Sequence, residues 1–423
     1  MSKLQFKISG ILPLLLTLGL IPAYPAIAES NHPISPSKQL IDGLYTENHE
    51  AARHFQIGVR LYGRQNFIAA QESFTKALRF DPFMPMAYYL LGNSFMELGE
   101  ISKAIANYDQ AIRFAPNFPE AHYNHGLALY RQGNIIAATR AFQETVRLNP
   151  EFVPGLYNLA LTLNTQGNTD EAIDLYLRVL QEEPTYTLAY YNLGLIVAKQ
   201  GKMNEALSLF ERAIESDEEF APAYYQLGLI HARENRLEEA RDALGTSLVY
   251  EPNNAQGQYY LGLIFNQLEN YEAATERFEE SLALEPLNVN SYRELGISLI
   301  ELNKTIEAIP ALEQATLLNP DDALSHYNLG VGYHLEARYE EAVNAYLEAI
   351  RLERTLGDGF FNLGIALQLL DRSQEARSFV EEAKNLFIQQ QQFNKVAQVD
   401  LFLEEQVIPS ISPIRSIPAN NDE

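Results

Sequence analysis

The chain contains no cysteine. That excludes disulfides, thiolate metal sites, a cysteine nucleophile and a lipid-modified N-terminal cysteine, and it does not by itself reveal the compartment. Bases are scarce beside acids: 31 Lys and Arg against 55 Asp and Glu give a formal net charge of −24. So acidic a surface is unsuited to nonspecific binding of nucleic acid or anionic membrane. A glycine-rich phosphate loop, a zinc-protease helix motif and a serine nucleophile elbow are also missing. The reading is therefore a non-enzyme with no cofactor.

The first 28 residues differ in kind. Lys3 and Lys7 form a short basic segment, Ile11 to Ile21 is almost wholly apolar, and no acid precedes Glu29. The small residues Ala26 to Ala28 suit a signal peptidase, so residues 1–28 read as a secretory signal cleaved before Glu29. An uncleaved membrane anchor is the alternative. Its apolar run is short of the ~20 residues a spanning helix needs, and Pro13 and Pro22 interrupt it. The expected location is extracytoplasmic, either a bacterial periplasm or a thylakoid lumen.

What the sequence has in abundance is a period. Ala70, Ala104, Ala138, Ala172, Ala206, Ala240, Ala274, Ala308, Ala342 and Ala376 are each 34 residues apart. Prolines 82, 116, 150, 184, 252, 286 and 320 keep the same phase. So do glycines 58, 92, 126, 194, 228, 262, 296, 330 and 364, with Ala160 in the missing place. A fixed period of this size means stacked supersecondary units. Counting units from Ala51, the glycine is place 8, the alanine place 20 and the proline place 32. Each unit holds two apolar-periodic segments of roughly 14 residues, a length typical of helices in globular proteins. Place 15 holds Gly99, Gly133, Gly167, Gly201, Asn235, Asn303 and Asp371, which tolerate the left-handed turn that ends a helix. Glycine at place 8 is expected to face alanine at place 20 and let the paired helices approach.

Small residue, leucine and aromatic at these offsets, then alanine, aromatic, alanine and proline, resemble the tetratricopeptide repeat. The resemblance covers residues 51 to about 390. It implies an all-α, right-handed superhelical solenoid of ten helix-turn-helix units. The units are 51–84, 85–118, 119–152, 153–186, 187–220, 221–254, 255–288, 289–322, 323–356 and 357–390. The array reads as one continuous solenoid after a lead-in at 29–50. A capping helix is expected at 391–407 and a proline-containing disordered tail at 408–423. Glu218 and Arg354 replace the proline at two junctions, which are expected to be looser, and Pro310 is expected to bend its helix.

At 100° per residue, places 4, 7, 8 and 11 of the first helix share one face, expected to pack, and places 2, 5, 6, 9, 12 and 13 share another. By the resemblance, first helices line the concave surface. Place 5 is tyrosine at 89, 123, 157, 191, 225, 259 and 327, and place 6 is asparagine at 124, 158, 192, 328 and 362. The candidate partner-binding groove is therefore Tyr89, Tyr123, Asn124, Tyr157, Asn158, Tyr191, Asn192, Tyr225, Tyr259, Tyr327, Asn328 and Asn362, with Lys199 and Arg233. Aromatic rings and amides suit an extended or helical protein segment, because an amide offers both a donor and an acceptor to peptide backbone. Helix packing and interhelical hydrogen bonding are equally good reasons for the same residues. The groove places carry four bases, Arg131, Lys199, Arg233 and Arg293, against five acids, Glu97, Glu120, Glu294, Glu301 and Asp358. Most of the negative charge therefore lies elsewhere, as a solvated skin.

Chaperone-binding tetratricopeptide domains clamp a terminal carboxylate with lysine at place 5. Here place 5 is tyrosine or phenylalanine except at Arg293, so that clamp is absent. His122 and His125 are three residues apart, a spacing that metals use, but with no third ligand they read as structural. The function read from the sequence is an extracytoplasmic scaffold that binds a protein client, in assembly or delivery. The alternatives are an acidic divalent-cation carrier, since hard cations take oxygen ligands, and a purely structural solenoid.

Overall fold

The computed structural model describes residues 46–407. The expected signal peptide, most of the lead-in and the expected tail fall outside them. The described residues divide into two compact bodies, one ending at Ala223 and the other beginning at Tyr224. The first body holds α1 (His49–Gly63), α2 (Phe67–Phe80), α3 (Pro85–Glu97), α4 (Ile101–Phe114), α5 (Pro119–Arg131), α6 (Ile135–Leu148), α7 (Val153–Thr165), α8 (Thr169–Glu182), α9 (Thr187–Lys199) and α10 (Met203–Ser216). The division falls in the first turn of α11 (Ala221–Arg233). The second body continues with α12 (Leu237–Tyr250), α13 (Ala255–Gln267), α14 (Tyr271–Leu284), α15 (Val289–Glu301), α16 (Thr305–Leu318), α17 (Ala323–Leu335), α18 (Tyr339–Leu352), α19 (Gly357–Leu369), α20 (Ser373–Gln389) and α21 (Phe393–Val407). Among the described residues there is no strand.

Consecutive helices pack against one another from α1 through α10 and from α12 through α21, the helix-pair packing of a tetratricopeptide solenoid. Place 15 turns the chain in every unit, and its backbone is left-handed throughout. Gly99, Gly133, Gly167 and Gly201 have φ of 72–87°, and Asn235, Asn303 and Asp371 have φ of 59°. Gln65, Glu269 and Ala337 adopt the same conformation with φ of 57–59°, although nothing in their side chains favours it. The junctions at Glu218 and Arg354 make the same two-residue turn as those with proline. At the first, Asp217 caps the turn by accepting from the Glu219 amide at 3.1 Å. Helix α16 runs unbroken through Pro310.

Two expectations about packing are corrected. A Cβ on the place-8 glycine would meet place 24 first: at Gly194 it would lie 2.7 Å from the Phe210 ring, and at Gly330 2.5 Å from Tyr346, while at Gly364 it would also come 3.2 Å from the carbonyl of alanine 20, Ala376. The glycine thus makes room for a large side chain of the second helix, and alanine 20, fully buried in all ten units, lets the helix backbones approach. The second correction concerns faces. Place 5, assigned to the open face, is among the most buried positions, whereas place 4, assigned to packing, is mostly half-buried. Small residues at place 3 (Ala87, Ala121, Ala189) also turn inward. Helix α21 buries Val399 with Phe361, Val380 and Phe387 at the end of the second body.

Candidate functional site

In the first body each place-5 tyrosine is an internal hub. Its ring packs on the place-24 aromatic of its own unit: Tyr123 on Phe142, Tyr157 on Tyr176 and Tyr191 on Phe210, with centroids 5.8–5.9 Å apart. On another side it meets the aromatic at place 34, with Tyr89 4.9 Å from Phe118 and Tyr123 5.0 Å from Phe152. The same holds for Tyr157, 5.2 Å from Tyr186, and Tyr191, 5.3 Å from Phe220. Such tilted and edge-on rings add to the area they bury.

The place-6 amide then joins one unit to the next. Asn124 Nδ2 donates to the Tyr89 hydroxyl at 3.0 Å, Asn158 to Tyr123 at 3.2 Å and Asn192 to Tyr157 at 2.9 Å. The step is 35 residues each time. Asn124 also donates to Asn93 Oδ1 at 2.8 Å, the oxygen that accepts from Tyr108 at 2.7 Å. Burial pushes the phenols of Tyr89 and Tyr157 far above their ordinary range, so they remain neutral.

The tyrosines are thus corrected from an open aromatic surface to core, because their rings are enclosed and their hydroxyls accept from the ladder. Asn192 keeps one unused atom. Asn192 Nδ2 is held by both Tyr157 and the Leu188 carbonyl, each at 2.9 Å, and its Oδ1 is buried with no hydrogen-bond partner among the described residues. Lys199, at the end of the same helix, is exposed.

The second body departs from this scheme. Tyr327 and Asn362 keep the ladder bond, at 3.1 Å. Tyr225 instead meets the Tyr260 ring at 6.1 Å. Tyr259 is followed one unit on by Glu294, and place 5 of that unit is Arg293. Arg293 lies 3.4 Å from Glu294 Oε1 and donates to Asp322 Oδ2 at 2.7 Å, the first two buried in α15 and Asp322 half-buried at the N-cap of α17. Asp322 also accepts from Ser325 Oγ at 2.6 Å. Burial drives the Glu294 carboxyl up to about 7, against the opposing pull of Arg293. Burial also acts to raise Asp322, but the bonds from Ser325 and Arg293 outweigh it and leave its pKa lowered. Glu294 Oε2 and the Tyr259 hydroxyl have no hydrogen-bond partner among the described residues. Asn328 keeps only the intrahelical half of the Asn192 arrangement, its Nδ2 on the Leu324 carbonyl at 2.9 Å and its Oδ1 without a partner among the described residues. Arg233 is exposed.

Sequence reasoning counted Arg293 and Glu294 as charges and missed them as a buried node. The available signal was an arginine in a tyrosine column beside an acid in an amide column. Place 34 was missed as well: Asn254, Asn288 and Asp322 cap α13, α15 and α17, where the first body has Met84 and then four aromatics, Phe118, Phe152, Tyr186 and Phe220. His122 binds the Pro116 carbonyl at 2.9 Å, and His125 lies 3.4 Å from Asp109. Among the described residues no three His, Asp or Glu side chains gather as a metal site.

No curated protein matches the chain significantly. Among solved structures, a crystal structure of MamA is 28% identical with a TM-score of 0.38, covering 39% of this chain and 96% of its own. YrrB, described as a TPR protein with an unusual peptide-binding site, is 21% identical with a TM-score of 0.40, covering 47% of this chain and 98% of its own. Yeast Tom70 is 13% identical with a TM-score of 0.37, covering 84% of this chain and 95% of its own. A TPR repeat profile matches residues 92–133, and the tetratricopeptide repeat profile matches 123–187, 191–251, 225–289 and 293–359, together more than half of the chain. The chain belongs to the tetratricopeptide repeat family.

Proposed function

We propose that the protein is a non-catalytic scaffold that holds a segment of a client protein along the inner faces of its first helices. The observation that carries this reading is the pair of oriented amides. Internal bonds account for the nitrogens, that of Asn192 on Tyr157 and the Leu188 carbonyl and that of Asn328 on the Leu324 carbonyl of its own helix, but they leave each Oδ1 buried without a donor among the described residues. A buried acceptor left in that state costs about 1–3 kcal/mol, and a backbone N–H from an extended segment would remove the cost. The donor side of each amide is fixed internally, so the oxygen is held in one orientation and meets a client donor once the side chains that cover it part. Exposed Lys199 in the first body and Arg233 in the second add a cationic contact suited to an acidic or polar client.

The proposed setting is extracytoplasmic, in assembly or delivery of other proteins, with residues 1–28 removed. N-terminal sequencing of the mature protein checks the setting: a chain starting at Glu29 supports it, and one starting at Met1 contradicts it. The site is tested by photocrosslinkers placed singly at Lys199, at Arg233 and, as an outer-surface control, at Glu211 in α10. The same client captured from Lys199 and Arg233 but not from Glu211 is the expected result. Capture that does not depend on position contradicts the reading.

A further inference from the structure

The second body carries an apolar strip outside the groove. Val249 at the end of α12, Leu287 in the turn after α14 and Leu317 at the end of α16 are 75%, 76% and 69% exposed. Tyr250 and Leu284 beside them are also exposed. These are places 29, 30 and 33 of three consecutive units, so stacking sets them in a row along one edge.

The repeat does not require them. Place 29 is Arg79, Arg113, Arg147 and Arg351 at the ends of α2, α4, α6 and α18, where a cation complements the helix C-terminus. In α12, α14 and α16, as also in α8 and α10, where place 29 is Gln181 and Glu215, no basic residue occupies the last turn. Val249 and Leu317 thus put exposed aliphatic surface where other units have arginine, while in α14 that place is Ala283 and the exposed aliphatics are Leu284 and Leu287. Its fringe is of one sign. Glu279, Glu280, Glu285 and Asp321 are exposed around it, Glu251 is half-buried, and three helix C-termini add partial negative charge.

We propose that this strip is a docking surface for an amphipathic helix of a partner protein, with an apolar face flanked by Lys or Arg. A row of aliphatic side chains spaced along a stack matches the apolar face of a helix laid across it, and the acidic fringe selects cationic flanks. The same fringe opposes a second copy of this acidic chain and an anionic lipid surface. The proposal is independent of the groove reading.

The test uses the full chain and two synthetic helical peptides of equal length and identical leucine face, one with lysine and one with glutamate flanks, followed by fluorescence anisotropy. The variant Val249→Ser/Leu287→Ser/Leu317→Ser removes the strip and keeps every acid. The leucine–lysine peptide is expected to lose about tenfold or more in affinity for this variant and none for Asn192→Ala/Asn328→Ala. The leucine–glutamate peptide is expected to bind about tenfold or more weakly than the leucine–lysine peptide. Undiminished binding to the triple-serine variant, or equal binding of the two peptides, would overturn the proposal. So would strip-dependent binding to phosphatidylcholine vesicles, or a dimer in sedimentation velocity that the serine substitutions dissolve.

Discussion

The two bodies build the same junction from different chemistry. In the first, places 24 and 34 surround each place-5 tyrosine with aromatic rings, three amide–phenol bonds repeat without a break, and four of five left-handed turns are glycine. In the second, place 34 becomes Asn254, Asn288 or Asp322, a helix cap in place of a ring. The ladder is interrupted by Arg293 and Glu294, and the left-handed turns fall on Asn235, Glu269, Asn303, Ala337 and Asp371. One backbone repeat thus tolerates a dry aromatic junction or a capped, charged one. The charged version leaves more groups whose neutralisation or pairing matters, so the two bodies should respond differently to pH and to conservative mutation.

The largest effect is expected from Arg293→Met. It leaves the buried Glu294 and the half-buried Asp322 without their cation, and losing one member of a buried ion pair costs about 3–5 kcal/mol. Chemical denaturation at neutral and acidic pH measures this, and the loss should shrink as Glu294 takes up a proton. A cost below about 1 kcal/mol at both would mean that the node is solvated.

Glu294→Gln comes next. The folded carboxyl titrates near 7 against 4.5 when unperturbed, so between these values the folded state holds a proton that the unfolded state releases. The resulting stabilisation is fully present below 4.5 and is lost as pH rises through 7. Glutamine cannot ionise and keeps the size. Arg293 keeps Asp322 at 2.7 Å. The variant should match the wild type near about pH 4 and exceed it by about 3 kcal/mol near about pH 8. A pH-independent difference would remove the buried carboxyl from the account.

Smaller effects separate the bodies directly. Tyr157→Phe breaks a buried ladder bond and should cost about 1 kcal/mol, whereas Tyr259→Phe, which removes a hydroxyl without a partner, should cost nothing or stabilise. Equal costs would erase the contrast. Ala337→Gly relieves an alanine at φ of 57° and should stabilise by about 1 kcal/mol, read from the denaturation midpoint. Gly167→Ala, at φ of 87° in the first body, should do the opposite.

Much of this fold was legible because stacking repeats its demands. Alanine 20, glycine 8 and the turn at place 15 each stand in a strict 34-residue phase, and each has a steric reason to do so. The orientation of the first helix was harder to read. Its flanks in the middle units are apolar almost all round, as in Leu193 to Ala198, so periodicity gives no clear inner and outer side. That is why Tyr191 was placed on the open face when it is core and half-buried Tyr190 is not. Gln65, Glu269 and Ala337 were missed as left-handed turns because the fold imposes a conformation that their side chains do not favour. The site was half visible. The residue columns were apparent, but which amide atom is used internally depends on a neighbour 35 residues away.

The central claim is that Asn192 and Asn328, whose amide nitrogens are held internally, offer their oxygens to a client. It is tested most directly by client capture from a photocrosslinker at Lys199 in Asn192→Ala/Asn328→Ala, compared with wild type at matched helicity and below both melting temperatures. The account predicts a loss of about tenfold or more in captured client. Undiminished capture from a folded variant would contradict it and leave the ladder as structure alone.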